Sequence, residues 1–431
     1  MAEEFAIKSR RKLAIASIVA PSDFKLRALR AVGLTEYIDQ HVGRLTPYCI
    51  DLPRREVLLV ETSREVDLLT CKPFLYEGQR LHGNKIIRAS FDELHQAVSQ
   101  GRALFLNQRQ VDDKQQIDGQ FDALLFLFST GRCGSTLLGQ LLGDCAGVVT
   151  VSEPDYFTQL PFLVQRQSTE VIEALQSVTY DLSVLLLAYV RVRYPTGKVV
   201  LKLRSQCNES AEMIQAIFPN ARKLFLYRNG METVNSFCSV LRSHPLIQLS
   251  QILNSKYFPL LNHIPIGLLN LIPFLRSVIK VMAPLSTQLR FMKVGIGTGT
   301  GVFTLAWLSG LDKVFKITAH SPSFFDAILR YEELQKNPIE VVSILLMRLN
   351  LPSINQNSKE KMAMTLLKDS QQGSDLASLD EYVLTGLDER LITRAVQLHE
   401  VVEDVDYRLP GLITGSVNAK TTPSLEESNY E

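Results

Sequence analysis

The sequence predicts an α/β protein whose parallel sheet is flanked by helices, with an N-terminal α+β extension and helical insertions. From residue 121 onward, short apolar runs alternate with helical patterns, which is typical of right-handed crossovers between parallel strands. The first run has no polar interruption, as expected of a strand buried on both faces. The predicted strands are residues 123–128, 148–151, 199–203, 224–227 and 327–331.

The composition is that of a globular protein without a general preference for nucleic acid. The 431 residues are enough for two domains or for one large α/β domain with additions. Apolar residues make up 46% of the chain and charged residues 21%, which excludes a disordered protein. The net charge is only +1, whereas proteins that neutralise nucleic-acid phosphates carry a basic excess. The sequence indicates no oligomeric state.

The cysteines predict neither a metal site nor a disulfide framework. All 6 are scattered without a C-x-x-C pair, the spacing expected of zinc ligands. Cys133 lies in a glycine-rich turn, where it is either a reactive thiol or, the preferred interpretation, a small side chain that fills the turn.

A basic segment and a short apolar run near the N-terminus resemble a secretory signal only in part. The apolar run, residues 13–20, is close to the minimum length of such a signal. Glu3 and Glu4 precede it, where a signal would carry basic residues. The sequence therefore predicts a soluble, cytoplasmic protein.

The chain divides into three predicted regions. Residues 1–120 form an N-terminal α+β region of unknown role, residues 121–351 the α/β domain, and residues 352–431 a helical region with a disordered tail. Within the α/β domain, residues 244–301 break the alternation and are predicted to be a helical insertion. Its apolar segment 264–284 contains Arg276 and Lys280, so it is a lid, a peripheral membrane contact or a core helix pair rather than a membrane span.

The N-terminal region shows weaker patterns. Ser22 is a candidate cap for a helix that runs toward residue 40. Residues 57–61 and 68–75 are predicted strands, and residues 90–99 a helix with acidic residues in its first turn.

A glycine-rich turn, S-T-G-R-C-G-S-T at residues 129–136, follows the first predicted strand of the α/β domain and precedes a helix. This arrangement directs backbone N–H groups and the positive end of the helix toward an anion. The turn has no lysine after Gly134, so it is not the phosphate loop of an NTPase. Arg132 supplies the cation instead, which favours a phosphate or sulfate site over a ligand-free corner.

Two motifs resemble those of sulfotransferases that use 3′-phosphoadenosine 5′-phosphosulfate (PAPS). The sequence S-T-G-R-C-G-S-T-L-L resembles the 5′-phosphosulfate loop of this family, and K-L-F-L-Y-R-N-G-M-E-T-V-N-S at residues 223–236 resembles its 3′-phosphate motif. The family usually has proline two residues after the arginine, where this chain has Gly230. A third, weaker similarity is Y-E-E-L at residues 331–334, for which a structural role is expected. Together these matches span about residues 123–351.

The resemblance implies a three-layer fold like that of P-loop NTPases, with PAPS as cosubstrate and no metal. It also implies transfer of a sulfuryl group to an unidentified hydroxyl or amine acceptor. The residues that it assigns to PAPS are Arg132, Cys133, Gly134, Ser135, Thr136, Arg228 and Ser236.

Catalysis requires cations at the leaving oxygen and a base for the acceptor. The resemblance assigns Arg132 and Lys202 as the cations. Cytosolic members place a histidine base two residues after the strand lysine, but this chain has Arg204 there, which cannot accept a proton. Glu153 resembles the base of other members in its placement, with an ion pair to Arg132 or Lys202 as its alternative role. His244, His263 and His320 are further candidates without a spacing argument.

Two other functions remain open at the level of sequence. The chain could be a non-catalytic module that binds PAPS or its product 3′-phosphoadenosine 5′-phosphate (PAP), and Arg204 in place of histidine favours that reading. A kinase or NTPase is disfavoured because the loop lysine is missing.

Overall fold

The structure is a computed structural model that describes residues 1–11, 17–71, 73–100, 124–241, 299–370 and 383–403, with residues 416–417 and a few single residues. Nearly all of the predicted insertion 244–301 lies outside the described residues. The lid or membrane contact predicted for residues 264–284 therefore stays a prediction.

The described residues form two sheets. The strands of the first sheet are β1 (Ala2–Arg10), β2 (Phe24–Val32), β3 (Leu45–Asp51), β4 (Glu56–Glu61) and β5 (Lys85–Ser90). The strands of the second sheet are β6 (Leu124–Ser129), β7 (Val148–Ser152), β8 (Lys198–Lys202), β9 (Arg222–Tyr227), β10 (Ala327–Arg330) and β11 (Ser416–Val417).

The helices are named in chain order. Those before β9 are α1 (Leu34–His41), α2 (Leu75–His82), α3 (Phe91–Gln100), α4 (Ser135–Gly143), α5 (Tyr156–Leu163), α6 (Thr169–Arg193) and α7 (Ala211–Ile217). Those after β9 are α8 (Gly230–Leu241), α9 (Thr300–His320), α10 (Tyr331–Lys336), α11 (Pro338–Arg348), α12 (Gln356–Leu366) and α13 (Gly386–Glu403).

The N-terminal sheet is antiparallel, with the strand order β2-β1-β5-β4-β3. Alternate side chains on one of its faces form a buried apolar cluster, which includes Phe5, Phe24, Tyr48, Leu58, Val60 and Ile86. The predicted helix at 90–99 is confirmed as α3. Its start is fixed by a capping box, in which the backbone N–H of Glu93 donates to Ser90 Oγ and the N–H of Ser90 donates to Glu93 Oε2.

Two predictions for this region are wrong. The helix predicted over residues 22–40 is strand β2 followed by α1. Apart from Phe24 and Val32, the residues of β2 are exposed or half-buried, so this edge strand lacks the alternation that marks a half-buried strand. The strand predicted over 68–75 is a turn followed by α2. Its apolar residues are buried within that turn, where the Leu68 N–H donates to Tyr189 Oη.

The second sheet confirms the predicted α/β fold. Its strand order is β11-β10-β9-β6-β8-β7, and the pairs β7–β8, β9–β10 and β10–β11 are parallel. All 6 residues of β6 are buried, as predicted from its uninterrupted apolar sequence. The Phe126 ring packs edge-on against Phe157, with centroids 5.6 Å apart, and lies 5.4 Å from Phe218.

The chain forms two compact units, each assembled from separate stretches. The first unit comprises Met1–Phe126, Gly139–Arg222 and Ala363–Asp375, and the second unit comprises Leu127–Leu138, Lys223–Met362 and Leu376–Glu431. The domain boundaries predicted at residues 120/121 and 351/352 remain a prediction.

In the part of the chain that the structure describes, α6 is the one helix whose length and apolar composition would suffice to cross a bilayer. The core helix of a globular protein passes the same test, and 61% of the apolar window of α6 is buried within the structure. The cytoplasmic location stays a prediction.

Candidate functional site

The glycine-rich turn between β6 and α4 has an unusual backbone. Gly131, Arg132 and Gly134 all have positive φ angles of 77°, 48° and 79°. A turn that mixes left-handed residues with other conformations in this way can direct successive N–H groups toward one side, which is the geometry of an anion-binding nest. The turn is joined to the neighbouring strand β9 by the Thr130 N–H, which donates to the Leu226 carbonyl at 3.2 Å.

Within the second unit, the structure brings the two predicted motifs together. Arg132 Nε of the turn donates to Ser236 Oγ on α8 at 3.0 Å, although the residues are 104 positions apart. Ser135 and Thr136, the first residues of α4, are both buried, at 7% exposure. A guanidinium and a hydroxyl from two different elements thus converge beside the positive end of a helix, as an oxyanion site requires.

Tyr331, the first residue of α10, contacts both motifs. A Cβ atom on Gly134 would lie 2.2 Å from Tyr331 Cε2, so the ring packs directly against the turn and excludes any side chain at that position. The guanidinium carbon of Arg228 lies 4.8 Å from the centroid of the same ring, a cation–π contact. The Y-E-E-L segment therefore packs against both predicted motifs, in keeping with the structural role expected for it, although its sequence does not show which residues Tyr331 contacts.

Two further residues, Trp307 and Glu332, hold the turn that carries Arg228. Trp307 Nε1 on α9 donates to the Arg228 carbonyl at 3.0 Å, and Glu332 accepts the Asn229 N–H at 2.8 Å. Gly230 packs against the indole, since a Cβ there would lie 2.7 Å from Trp307 Cη2. This close approach explains why glycine, and not the family's proline, stands two residues after Arg228.

Several buried polar side-chain atoms in or beside these motifs lack a hydrogen-bond partner among the described residues. They include two donors, Arg228 Nε and Thr130 Oγ1. The Thr130 side chain is 1% exposed, and Arg228 makes its other contacts with Tyr331 and with Glu232, whose carboxylate is 3.0 Å from Nη2. A buried N–H or O–H without an acceptor is costly, and phosphate oxygens would satisfy both. The residues present therefore fit an anionic ligand.

The predicted base and one predicted cation meet in the first unit. Glu153 follows β7 with a positive φ of 56°, and its N–H donates to the Lys202 carbonyl at 2.7 Å. Lys202 Nζ donates to the carboxylate of Glu153 in return. Both side chains are buried, at 6% and 4% exposure, so this ion pair is shielded from water.

Arg204 joins this pair through Asp155. Its Nη1 donates to both carboxylate oxygens of Asp155, at 3.1 and 3.2 Å, while its Nε lies 3.8 Å from Glu153 Oε2. Burial lowers the pKa of Arg204, but the charges of Asp155 and Glu153 outweigh it and the net shift of the pKa is upward. Arg204 is therefore permanently charged and cannot replace the histidine base of the cytosolic members.

Aromatic residues of the N-terminal region cover these charges. Lys202 Nζ lies 5.0 Å from the centroid of the Phe74 ring, and the Arg204 guanidinium 5.4 Å from that of Tyr76. Burial raises the pKa of Tyr76, and the nearby charge of Glu153 raises it further, so the phenol stays neutral. The sequence carried no signal for these contacts, because Phe74 and Tyr76 are more than 120 positions from the cations that they cover.

The remaining candidate residues, Cys133 and the three histidines, are less suited to a catalytic role. Cys133 is fully buried and its Sγ lies 3.5 Å from the Leu226 carbonyl, consistent with a side chain that fills the turn. A ring nitrogen of His320 bonds to the Lys316 carbonyl at the exposed end of α9, and His244 and His263 lie outside the described residues. In the described part of the chain, no cluster of three or more His, Cys, Asp or Glu is placed to hold a metal ion.

Neither a protein-family model nor a curated protein sequence matches this chain. Among solved structures, a sulfotransferase from Mycobacterium avium is 14% identical, with 86% of this chain and 96% of that chain covered and a TM-score of 0.37. A sulfotransferase from Alicyclobacillus acidocaldarius is 14% identical, with 65% and 96% covered and a TM-score of 0.33. A mouse sulfotransferase complexed with PAP is 12% identical, with 68% and 91% covered and a TM-score of 0.33. This likeness concerns the fold, so we base the proposed function on the residues of the chain itself.

Proposed function

We propose that this protein is a sulfotransferase that transfers a sulfuryl group from PAPS to a hydroxyl or amine acceptor. The observation that carries the proposal is the hydrogen bond from Arg132 to Ser236, which joins a phosphosulfate-type loop to a 3′-phosphate-type motif. Two anion sites that lie close together suit a nucleotide with phosphate groups at its 3′ and 5′ positions. PAPS is such a ligand.

The donor is held by residues of the second unit. The turn at 131–136 receives the 5′-phosphosulfate, with Arg132 and the N–H groups of the turn as donors. Arg228 and Ser236 receive the 3′-phosphate. Arg228 Nε, which has no acceptor among the described residues, is the donor that supports this assignment.

The reaction breaks the bond between sulfur and the bridging oxygen of the donor and forms a bond between sulfur and the acceptor. The electron pair of the broken bond stays on the bridging oxygen, and the resemblance assigns Arg132 and Lys202 to the stabilisation of the new charge. The proton of the acceptor passes to the carboxylate of Glu153. PAP, the sulfated acceptor and protonated Glu153 are the products of the step.

A second candidate function is a module that binds PAP or PAPS without transfer. Glu153 contacts Lys202 and lies close to Arg204, so two cations already surround the carboxylate that transfer would need as a base. The same arrangement also matches the alternative role of Glu153, that of an ion-pair partner.

Transfer of radioactive sulfate from PAPS into a panel of hydroxyl and amine acceptors separates the two functions. The first predicts labelled product, with turnover that falls by about 10²–10⁴-fold in Glu153→Gln while PAP binding changes by less than about twofold. Glu61→Gln is the matched control, because Glu61 is also buried and pairs with Arg44 at 3.2 Å in the N-terminal sheet. PAP binding without label in any acceptor would favour the second function, and unchanged turnover in Glu153→Gln would remove Glu153 from the mechanism.

A further inference from the structure

Asp155 lies two residues after Glu153 and immediately precedes α5. It is 3% exposed, and its carboxylate has two kinds of partner. Both oxygens accept from Arg204 Nη1, at 3.1 and 3.2 Å, and Oδ2 also accepts the backbone N–H of Val19 at 3.0 Å. Arg204 Nη1 donates in addition to the Ser17 carbonyl at 3.0 Å. Asp155 and residues 17–19 of the N-terminal region thus hold the guanidinium from one side.

The position of Arg204 matters because Glu153 is its other neighbour. Arg204 Nε is 3.8 Å from Glu153 Oε2, which is beyond hydrogen-bond distance. A guanidinium beside a free carboxylate would normally form direct, often bidentate, hydrogen bonds with it. Asp155 competes for this guanidinium and takes the hydrogen bonds itself.

We propose that Asp155 is a positioning residue for Glu153. It accepts the hydrogen bonds of Arg204 and so keeps this guanidinium from forming a full ion pair with the Glu153 carboxylate. This inference rests on the proposed function, in which Glu153 is the base. It also gives the N-terminal region a role, since residues 17–19 complete the hydrogen bonds that fix Asp155 and Arg204.

The charges around Glu153 define what the proposal predicts. Among the described residues of the first unit, Lys202 and Arg204 contact Glu153, and Tyr76 lies close enough to be affected by its charge. Asp155 is linked to Glu153 through Arg204. Loss of the charge on Asp155 removes a nearby negative charge and releases Arg204 toward Glu153. Both changes favour ionised Glu153, so the acid limb of the pH–rate profile moves to lower pH and the maximal rate falls.

The test is the pH dependence of kcat in wild type and in Asp155→Asn, with PAP affinity measured beside it. We expect the acid limb of Asp155→Asn to move down by about 1 pH unit with PAP affinity within about twofold of wild type. Arg204→Gln should move the same limb upward, and the double variant Asp155→Asn/Arg204→Gln should return it toward wild type. If Asp155 had only a structural role, the two single variants would not shift the acid limb in opposite directions, and the double variant would not restore it.

Asp181→Asn is the matched control, since it also removes a buried carboxylate of the first unit, one that pairs with His95 at 3.1 Å rather than with Arg204. Its acid limb should coincide with that of wild type. If the wild type is active but the acid limb is unchanged in Asp155→Asn, or shifts in the same direction in both single variants, the inference is wrong and the proposed function still stands. A wild type that transfers no label overturns the proposed function and the inference together.

Discussion

Arg132 and Glu153, two of the predicted site residues, have left-handed backbone conformations, with φ angles of 48° and 56°. Residues other than glycine adopt this region at a cost of about 1 kcal/mol or more. Both residues follow strands of the second sheet directly or within a few positions, and in each case surrounding hydrogen bonds hold the conformation. Strain of this kind concentrates at functional sites, which supports the roles proposed for both residues.

Gly230 is predicted to tolerate no side chain. Gly230→Ala would place a methyl group 2.7 Å from the buried indole of Trp307, so the turn that carries Arg228 must shift. We expect a loss of roughly 1–3 kcal/mol in the free energy of unfolding and weaker binding of PAP, measured by chemical denaturation and calorimetry. Gly386→Ala is the control, because nothing lies within 4 Å of a Cβ at that position. Equal behaviour of the two variants would contradict the close packing described.

Asp181 is predicted to make the protein less stable as the pH rises. Burial raises its pKa to about 6, and His95 offsets this only in part. The folded state therefore binds the proton more tightly than the unfolded state, whose aspartate has a pKa of about 3.9. Stability from this group is complete below about pH 4 and is lost as the pH rises through 6, by up to ~3 kcal/mol at about 1.4 kcal/mol per pKa unit.

Urea denaturation of wild type and Asp181→Asn between about pH 4 and pH 7.5 measures this effect. The variant cannot ionise at residue 181, so its stability relative to wild type should improve as the pH rises from about 4 to about 6 and then level off. A difference between the two proteins that stays constant with pH would show that Asp181 does not titrate as described.

At the scale of elements, α10 supports the phosphate motifs through the ring of Tyr331. Tyr331→Leu removes the cation–π contact to Arg228, worth about 0.5–1 kcal/mol, and the flat surface that packs on Gly134. We expect PAP to bind about 2- to 10-fold more weakly in this variant, whereas Tyr331→Phe, which keeps the ring, should bind it like wild type. Weaker binding in Tyr331→Phe and Tyr331→Leu alike would assign the effect to the hydroxyl instead.

The elements of the α/β part could be predicted from sequence, and those of the N-terminal sheet only in part. Strand β6 and helix α6 were predictable because burial on both faces and a long apolar stripe leave an unambiguous pattern. Strand β2 was not, since it pairs only with β1 among the described strands and most of its side chains face solvent. Without a buried face, the sequence of this strand has no alternating pattern to set against the candidate helix cap at Ser22.

For the molecule as a whole, the charged residues of the candidate site could be predicted from the sequence, but the residues that position them could not. Arg132 and Arg228 of the second unit, and Glu153 and Lys202 of the first, follow or end strands, which is where ligand-binding residues of α/β sheets occur. Trp307, Phe74 and Asp155 act through packing or through a hydrogen bond to another predicted residue, and neither leaves a local pattern. The first unit combines the N-terminal sheet with β7 and β8, so contacts such as that of Phe74 with Lys202 depend on tertiary structure.

In the proposed function, one nucleotide is bound by the glycine-rich turn at its 5′-phosphate and by Arg228 and Ser236 at its 3′-phosphate. This binding mode can be measured by calorimetric titration of PAP and of adenosine 5′-phosphate, which lacks the 3′-phosphate, in wild type, Arg228→Ala and the exposed control Arg390→Ala. We predict that Arg228→Ala weakens PAP by about 10- to 150-fold, from the loss of charge-assisted bonds of about 1.5–3 kcal/mol. Its affinity for adenosine 5′-phosphate should be unchanged, and Arg390→Ala should bind both ligands like wild type. This binding mode is contradicted if wild type does not prefer PAP, or if Arg228→Ala binds PAP as tightly as wild type.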